Sequence, residues 1–156
     1  MSRVEIHSIT VKSPLGPLIV SEGDGRIVAL DWGTATTEST TPLLAMAAQQ
    51  LDAYFYCDLR KFDLPLAPTG TSFQQLVWRE MLRIPYGRTR SYADIARDLD
   101  SAPRAIGGAC GKNRIPIIIP CHRVLASGHR LGGYSSPGGA DTKKFLLQLE
   151  GARRTA

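Results

Sequence analysis

The sequence predicts an α+β chain in two parts, a small sheet with one helix followed by a helical region that holds a helix-turn-helix. Three observations lead there. Up to residue 32, apolar and polar residues alternate as they do in half-buried strands. Beyond "APTGTS", apolar residues recur at helical spacing instead. The charge changes sign at the same place: residues 1–67 hold five Lys/Arg and eight Asp/Glu, a net of −3, whereas residues 68–156 hold fourteen and six, a net of +8. The domain boundary is placed there, between residues 67 and 68.

In the first part, "VEIHSITVKS" and "GPLIVSE" read as strands around the turn "SPLG", and "RIVALDW" follows the turn "GDG". The small polar residues of "GTATTESTT" make a loop. "PLLAMAAQQLDAYFY" then has helical spacing, with Pro42 suited to a first turn. "LRKFDLPL" reads as one more strand. Nothing in this part suggests chemistry.

In the second part, "SFQQLVWREMLRI" puts Phe73, Leu76, Val77, Met81 and Ile84 on one stripe, stopped by Pro85-Tyr86-Gly87. "SYADIARDL" is a short helix capped by Ser91. "SAPRAIGGACGKN" is another, with Pro103 in its first turn and Gly111 or Asn113 at its end. Two short helices close together in a basic region fit a helix-turn-helix. Ile117 to Ile119 read as a short strand, and "TKKFLLQLEGA" as a last amphipathic helix.

Composition narrows the function classes. The chain has 156 residues, 43% hydrophobic and 21% charged, as expected of a globular protein with a real core. No apolar run approaches the roughly 18 residues of a membrane span, and "MSRVEIHSITVKS" lacks the apolar region of a signal peptide. A cytoplasmic protein is expected. Three cysteines (Cys57, Cys110, Cys121) and three scattered histidines form no CxxC pair, so neither a disulfide framework, a metal site nor a cofactor is expected. The basic second part suits a polyanion, and equally a solvated face.

Two stretches carry an argument about chemistry. "RAIGGACG" is a poor helix, since each interior glycine costs about 1 kcal/mol relative to alanine. Its bare surface fits close approach to another helix or to a nucleic-acid groove, and Arg104 beside it suits phosphates or stacked bases. In "PIIIPCHRV", Cys121 is either a small buried residue or a nucleophile. A nucleophile needs a base and a group that orients the base. His122 is the candidate base and Glu150, a lone acid in "FLLQLEG", the candidate orienter. Asn113, between the two stretches, can hold a turn open with its amide.

"TSFQQLVWREMLRIPYGRTRSYADIA", "RAIGGACGKN", "IPCHRV" and "LLQLEG" resemble the O6-alkylguanine-DNA alkyltransferase family, in the family's order and across more than half the chain. "SPLGPL" and "LDAYF" resemble it in the first part. The resemblance implies a ribonuclease-H-like first domain and a winged-helix-like helix-turn-helix in the second. It implies a protein that binds double-stranded DNA in the minor groove as a monomer, cooperatively or not, rotates O6-alkylguanine out and takes the alkyl group onto a cysteine. O4-alkylthymine is a further candidate lesion.

By the same resemblance Cys121 is the acceptor, His122 shares its proton through a water, Glu150 stands behind His122, and Asn113 joins the recognition helix to the active-site turn. Tyr92 helps rotate the nucleotide and donates to guanine N3. Tyr134 and Ser135 form the lid, and the carbonyls of Cys121 and Val124 accept from the guanine amino group. Arg104 fills the gap left by the base. Ala105, Gly107, Gly108 and Arg123 complete the DNA-contacting set, to which Arg114, not matched by the family, is added as a candidate phosphate contact.

The chain departs from the family at Arg114, where proline is usual, at Cys110, where asparagine or methionine is more common, and in a slightly longer lid, "YSSPGGADTKK". Alkyltransferase-like proteins, which bind the same lesions with tryptophan at the acceptor position, are the nearest alternative, and Cys121 argues against them. A regulator without chemistry leaves "PCHRV" unexplained, and a cysteine hydrolase needs no DNA.

Overall fold

The computed structural model describes residues 4–134 and 136–155, with the backbone alone for His129 and residues 152–155. The chain forms two compact units that meet in sequence at Thr69 and Gly70.

The first unit is built on an antiparallel meander, β1 (Ile6–Val11), β2 (Leu18–Gly23) and β3 (Arg26–Trp32), in that order. Asp24 and Gly25, both at positive φ, make the two-residue turn from β2 to β3, the geometry that matches strand twist. Helix α1 (Pro42–Tyr56) starts at Thr41, whose hydroxyl accepts from Leu44 N, and Pro42 opens its first turn. Its buried face, Leu44, Ala47, Leu51, Tyr54 and Phe55, packs on the sheet.

The expected strand over "LRKFDLPL" does not form. Only Leu66 makes a parallel bridge, to Ile27. Asp63 gives its backbone N–H and carbonyl to the Gln50 side chain, and Pro65 has no N–H to continue a ladder.

The second unit opens with α2 (Ser72–Leu82), begun by a reciprocal cap in which Thr71 and Gln74 bond each other's backbone. Its buried stripe is Val77, Trp78 and Met81, continued by Ile84, whereas Leu76 of the expected stripe is exposed. The short strand β4 (Arg90–Ser91) leads into α3 (Tyr92–Asp98), capped by Ser91 and Asp94 in the same reciprocal way. After Leu99–Ala102 comes α4 (Pro103–Gly111), packed against α2 and α3 as the second helix of a helix-turn-helix.

From α4 the chain coils rather than extending. Ile117 has φ 74, a left-handed value unusual for a β-branched residue, so the expected strand at Ile117–Ile119 is a closed turn. The Asn113 amide closes it, donating to Ile119 O (2.8 Å) and accepting from Ile115 N (3.0 Å). A 3₁₀ turn (Cys121–Arg123) follows, then β5 (Val124–Leu125), which pairs in parallel with β4. This pairing brings the start of α3 beside the Cys121 turn. Helix α5 (Ala140–Thr155) closes the chain.

Trp78 ties this unit together. It is 1% exposed, and its indole N–H donates to Ala109 O (2.9 Å), satisfying a carbonyl in the last turn of α4. Trp78→Phe is expected to leave Ala109 O with only the longer bond from Lys112 N (3.2 Å) and to lower unfolding free energy by about 0.5–1.5 kcal/mol. Urea denaturation measures this, and unchanged stability would show that the bond does not fix α4.

Candidate active site and helical face

Cys121 lies at 7% exposure in the wall of a cavity of about 440 Å³ that is also lined by Tyr92, Gly107, Cys110, Gly111, Gly133 and Tyr134. Burial pushes its thiol above the usual range. The Asn113 amide, the Lys143 charge, the Tyr134 hydroxyl and its own backbone N–H pull the other way without overcoming it. The resting group is therefore a thiol at neutral pH, and its reaction as a nucleophile needs a base.

The candidate base is adjacent. His122 is fully buried, with Nε2 2.7 Å from Glu150 Oε2. Glu150 also accepts from Arg123, through Nε (2.8 Å) and Nη2 (3.0 Å), and from Gly87 N (3.4 Å). Burial alone would raise the Glu150 carboxyl, but the His122 hydrogen bond and the Arg123 pair hold it below the ordinary carboxylate range. An ionised carboxylate only accepts, so the bonded Nε2 carries the proton and Nδ1 presents its lone pair. Nδ1 has no protein partner among the described residues. For His122 itself, burial outweighs Glu150 and keeps the imidazole neutral.

Helix α5 explains how distant residues meet here. Lys143, Leu146 and Glu150, at i, i+3 and i+7, share its buried face. Lys143 is fully buried. Its ammonium donates to Val124 O (2.7 Å) and Gly133 O (3.3 Å), and lies 5.7 Å from the centre of the Tyr92 ring. It escaped the sequence reading, although a Lys and a Glu seven apart around Leu146 were the available signal.

The loop before α5 approaches closely. A Cβ on Gly132 (φ +73) would sit 3.2 Å from the Tyr92 ring. The Tyr92 hydroxyl, pushed up to about 12 by burial and then by the two pocket thiols, remains a donor.

The expected DNA-contacting residues divide in two. Arg104, Ala105 and Gly108 are exposed on one face of α4 and Gly107 is half-buried, while Ile106, Ala109 and Cys110 make the opposite, buried face. A Cβ added at Gly107, Gly108 or Gly111 would meet nothing within 4 Å, so these glycines do not serve packing within the protein. Arg114 is exposed beyond the helix.

Arg123 is a correction. At 7% exposure, its guanidinium is spent on Glu150 and on Ile84 O (2.7 Å), because the 3₁₀ turn aims it inward, and it has no face to offer DNA. Cys110, the unusual residue of α4, is buried in the pocket wall with its thiol 3.5 Å from Met81 Sδ. Tyr134 lines the same cavity as Cys121, and Ser135 lies outside the described residues. The Val124 carbonyl already accepts from Lys143, with a second lone pair left for another donor.

Two family models match the chain. One, described as 6-O-methylguanine DNA methyltransferase, ribonuclease-like domain, covers residues 6–68. The other, described as 6-O-methylguanine DNA methyltransferase, DNA binding domain, covers residues 72–152. The constitutive methylated-DNA–protein-cysteine methyltransferase of Bacillus subtilis (strain 168) is 44% identical over 154 residues, 90% of this chain and 93% of its own length. The methylated-DNA–protein-cysteine methyltransferase of Mycobacterium tuberculosis (strain H37Rv) is 42% identical over 160 residues, 97% and 96% of the two chains. The crystal structure of Mycobacterium tuberculosis OGT in complex with DNA superposes with a TM-score of 0.83 at 43% identity, covering 94% of each chain.

The raised thiol has a direct readout. Iodoacetamide is expected to label exposed Cys57 well before Cys121 at pH 7, with Cys121 labelling climbing as pH rises past the usual thiol value of about 8.5. Peptide mass spectrometry resolves the two, and Cys121 labelling that is flat from pH 6 to 9 would mean the thiol is already ionised at rest.

Proposed function

This chain belongs to the 6-O-methylguanine DNA methyltransferase family, and we propose that it repairs O6-alkylguanine in duplex DNA by moving the alkyl group onto Cys121. One observation carries the proposal. Gly107 and Gly111 of the bare helix α4 line the same cavity as the Cys121 thiol. A cavity of about 440 Å³ falls in the ordinary range for a bound small molecule, about 300–1,000 Å³.

In this reading α4 lies in the minor groove, where its glycines let the backbone approach. Arg104 takes the place of the extruded base, whose removal from the stack costs a few kcal/mol. The lesion enters between Tyr92 and Tyr134. His122 Nδ1 accepts the Cys121 proton through a water, and the thiolate attacks the alkyl carbon. The S–C bond forms as the C–O6 bond breaks, and its electron pair goes to the guanine. The Tyr92 hydroxyl, a donor at neutral pH, steadies that charge at N3, and the proton count closes when guanine is protonated. The product is a thioether that no neighbouring group can cleave, so each molecule acts once. The cytoplasm suits this chemistry, since a reducing compartment keeps Cys121 a free thiol.

The test is the intact mass of the protein after incubation with duplex DNA carrying O6-methylguanine. A gain of one methyl group, located on Cys121 and absent in Cys121→Ser, is expected. Lesion binding without mass gain would mark a non-transferring lesion binder instead. A second experiment addresses α4: Arg104→Ala should slow transfer from duplex DNA by about ten- to a hundredfold, equivalent to 1–3 kcal/mol, and leave transfer from the free base nearly unchanged. Equal slowing with both substrates would remove Arg104 from its role in base extrusion.

A further inference from the structure

We propose that Arg123 is a positioning residue whose guanidinium balances the buried Glu150 carboxylate, so that His122 stays uncharged and keeps Nδ1 open to the Cys121 proton. This rests on the transfer reading above and deepens it.

Charge must balance around Glu150. Glu150 is 1% exposed, and a carboxylate buried that deeply needs a positive partner. Among the described residues, two touch it that can supply one, His122 and Arg123. Whichever carries the charge decides the state of the other. If the imidazole carried it, Nδ1 would bear a proton, and the thiol proton would have no acceptor. Arg123 settles the competition because a guanidinium does not deprotonate and meets the carboxylate at two points, 2.8 and 3.0 Å. Its remaining nitrogen is anchored on Ile84 O (2.7 Å), and its carbon lies 5.7 Å from the centre of the Tyr86 ring.

The other groups near the imidazole do not reverse this. Lys143, from α5, is a second cation that disfavours a charged His122. Cys121 is neutral at rest, Tyr134 on the loop before α5 shares its cavity, and Tyr86 lies against Arg123 on the loop after α2. Burial, the largest influence, acts in the same direction as the two cations, and Glu150 alone opposes it.

Nitrogen-correlated NMR of the His122 ring in the full chain tests the inference. The wild-type ring is expected as the neutral Nε2–H form at pH 7, titrating below the usual value of about 6.5. In Arg123→Met the titration should move up by roughly 1–3 pH units. Methyl transfer at pH 7 should then fall about ten- to a hundredfold and recover at higher pH. Arg123→Lys, which keeps the charge, should restore the neutral ring.

A charged wild-type ring at pH 7 would overturn the proposal, as would an Arg123→Met protein slowed equally at every pH with its His122 titration unmoved. If Arg123→Met does not fold, the wild-type and Arg123→Lys spectra decide. Failure of the native protein to take up methyl would count against the transfer reading alone, because the ring spectrum reports the charge arrangement directly.

Discussion

The buried carboxylate of Glu150 is the constraint around which the second unit is organised. A charge removed from water this completely must be met by hydrogen bonds and a counter-charge, or the group protonates. Here the imidazole of the 3₁₀ turn, the guanidinium beside it and the backbone at Gly87 all converge on it. Through Arg123 the same carboxylate is linked to Ile84, just past the end of α2. One group on α5 thereby fixes the turn that holds Cys121 and the loop that follows α2. The same contacts fix the tautomer of His122, so structural and chemical demands are met by one arrangement.

A second constraint acts on the other side of the thiol. Getting from α4 to Cys121 in so few residues while burying Ile115, Ile117, Ile118 and Ile119 forces the backbone into a tight coil. Ile117 takes a left-handed conformation there, at a cost of order 1–3 kcal/mol. Asn113 holds that coil with both ends of its amide, and the same amide lowers the Cys121 thiol against the effect of burial. The helix whose face is bare and the thiol that faces the cavity are thus coupled by a short, strained and closed segment.

The unsubstituted face of α4 has a cost in helix propensity that its surroundings offset. Its first turn has no side-chain cap, and its interior contains two glycines. Ile106, Ala109 and Cys110 bury the opposite face, Trp78 satisfies a late carbonyl, and α2 and α3 hold the helix from two sides. Tertiary packing therefore overrides a weak local preference, as it commonly does for short helices.

Much of the architecture follows from local chemistry that the sequence displays. The caps at Thr41, Thr71 and Ser91, the Asp24-Gly25 turn and the alternation of β1 to β3 each depend on residues within a few positions of one another. That Cys121-His122 and the distant Glu150 come together was legible too, because a Cys-His pair and a lone Glu in an apolar helix are unusual. Local pattern misled where the competing partner lay far away. "LRKFDLPL" alternates like a strand, but Gln50 captures its backbone. The isoleucine run looks extended, but Asn113 coils it. Arg123 looks like one more cation of a basic region, and only its seven-residue spacing to Glu150 sets Lys143 apart from its neighbour Lys144. Yet Arg123 and Lys143 are buried on specific acceptors while Lys144 is exposed. By itself the sequence determined which residues have chemistry to offer. Only the tertiary structure decided which charges leave water, because that depends on the acceptors the folded chain brings within reach, and those acceptors lie nearly twenty to forty residues away.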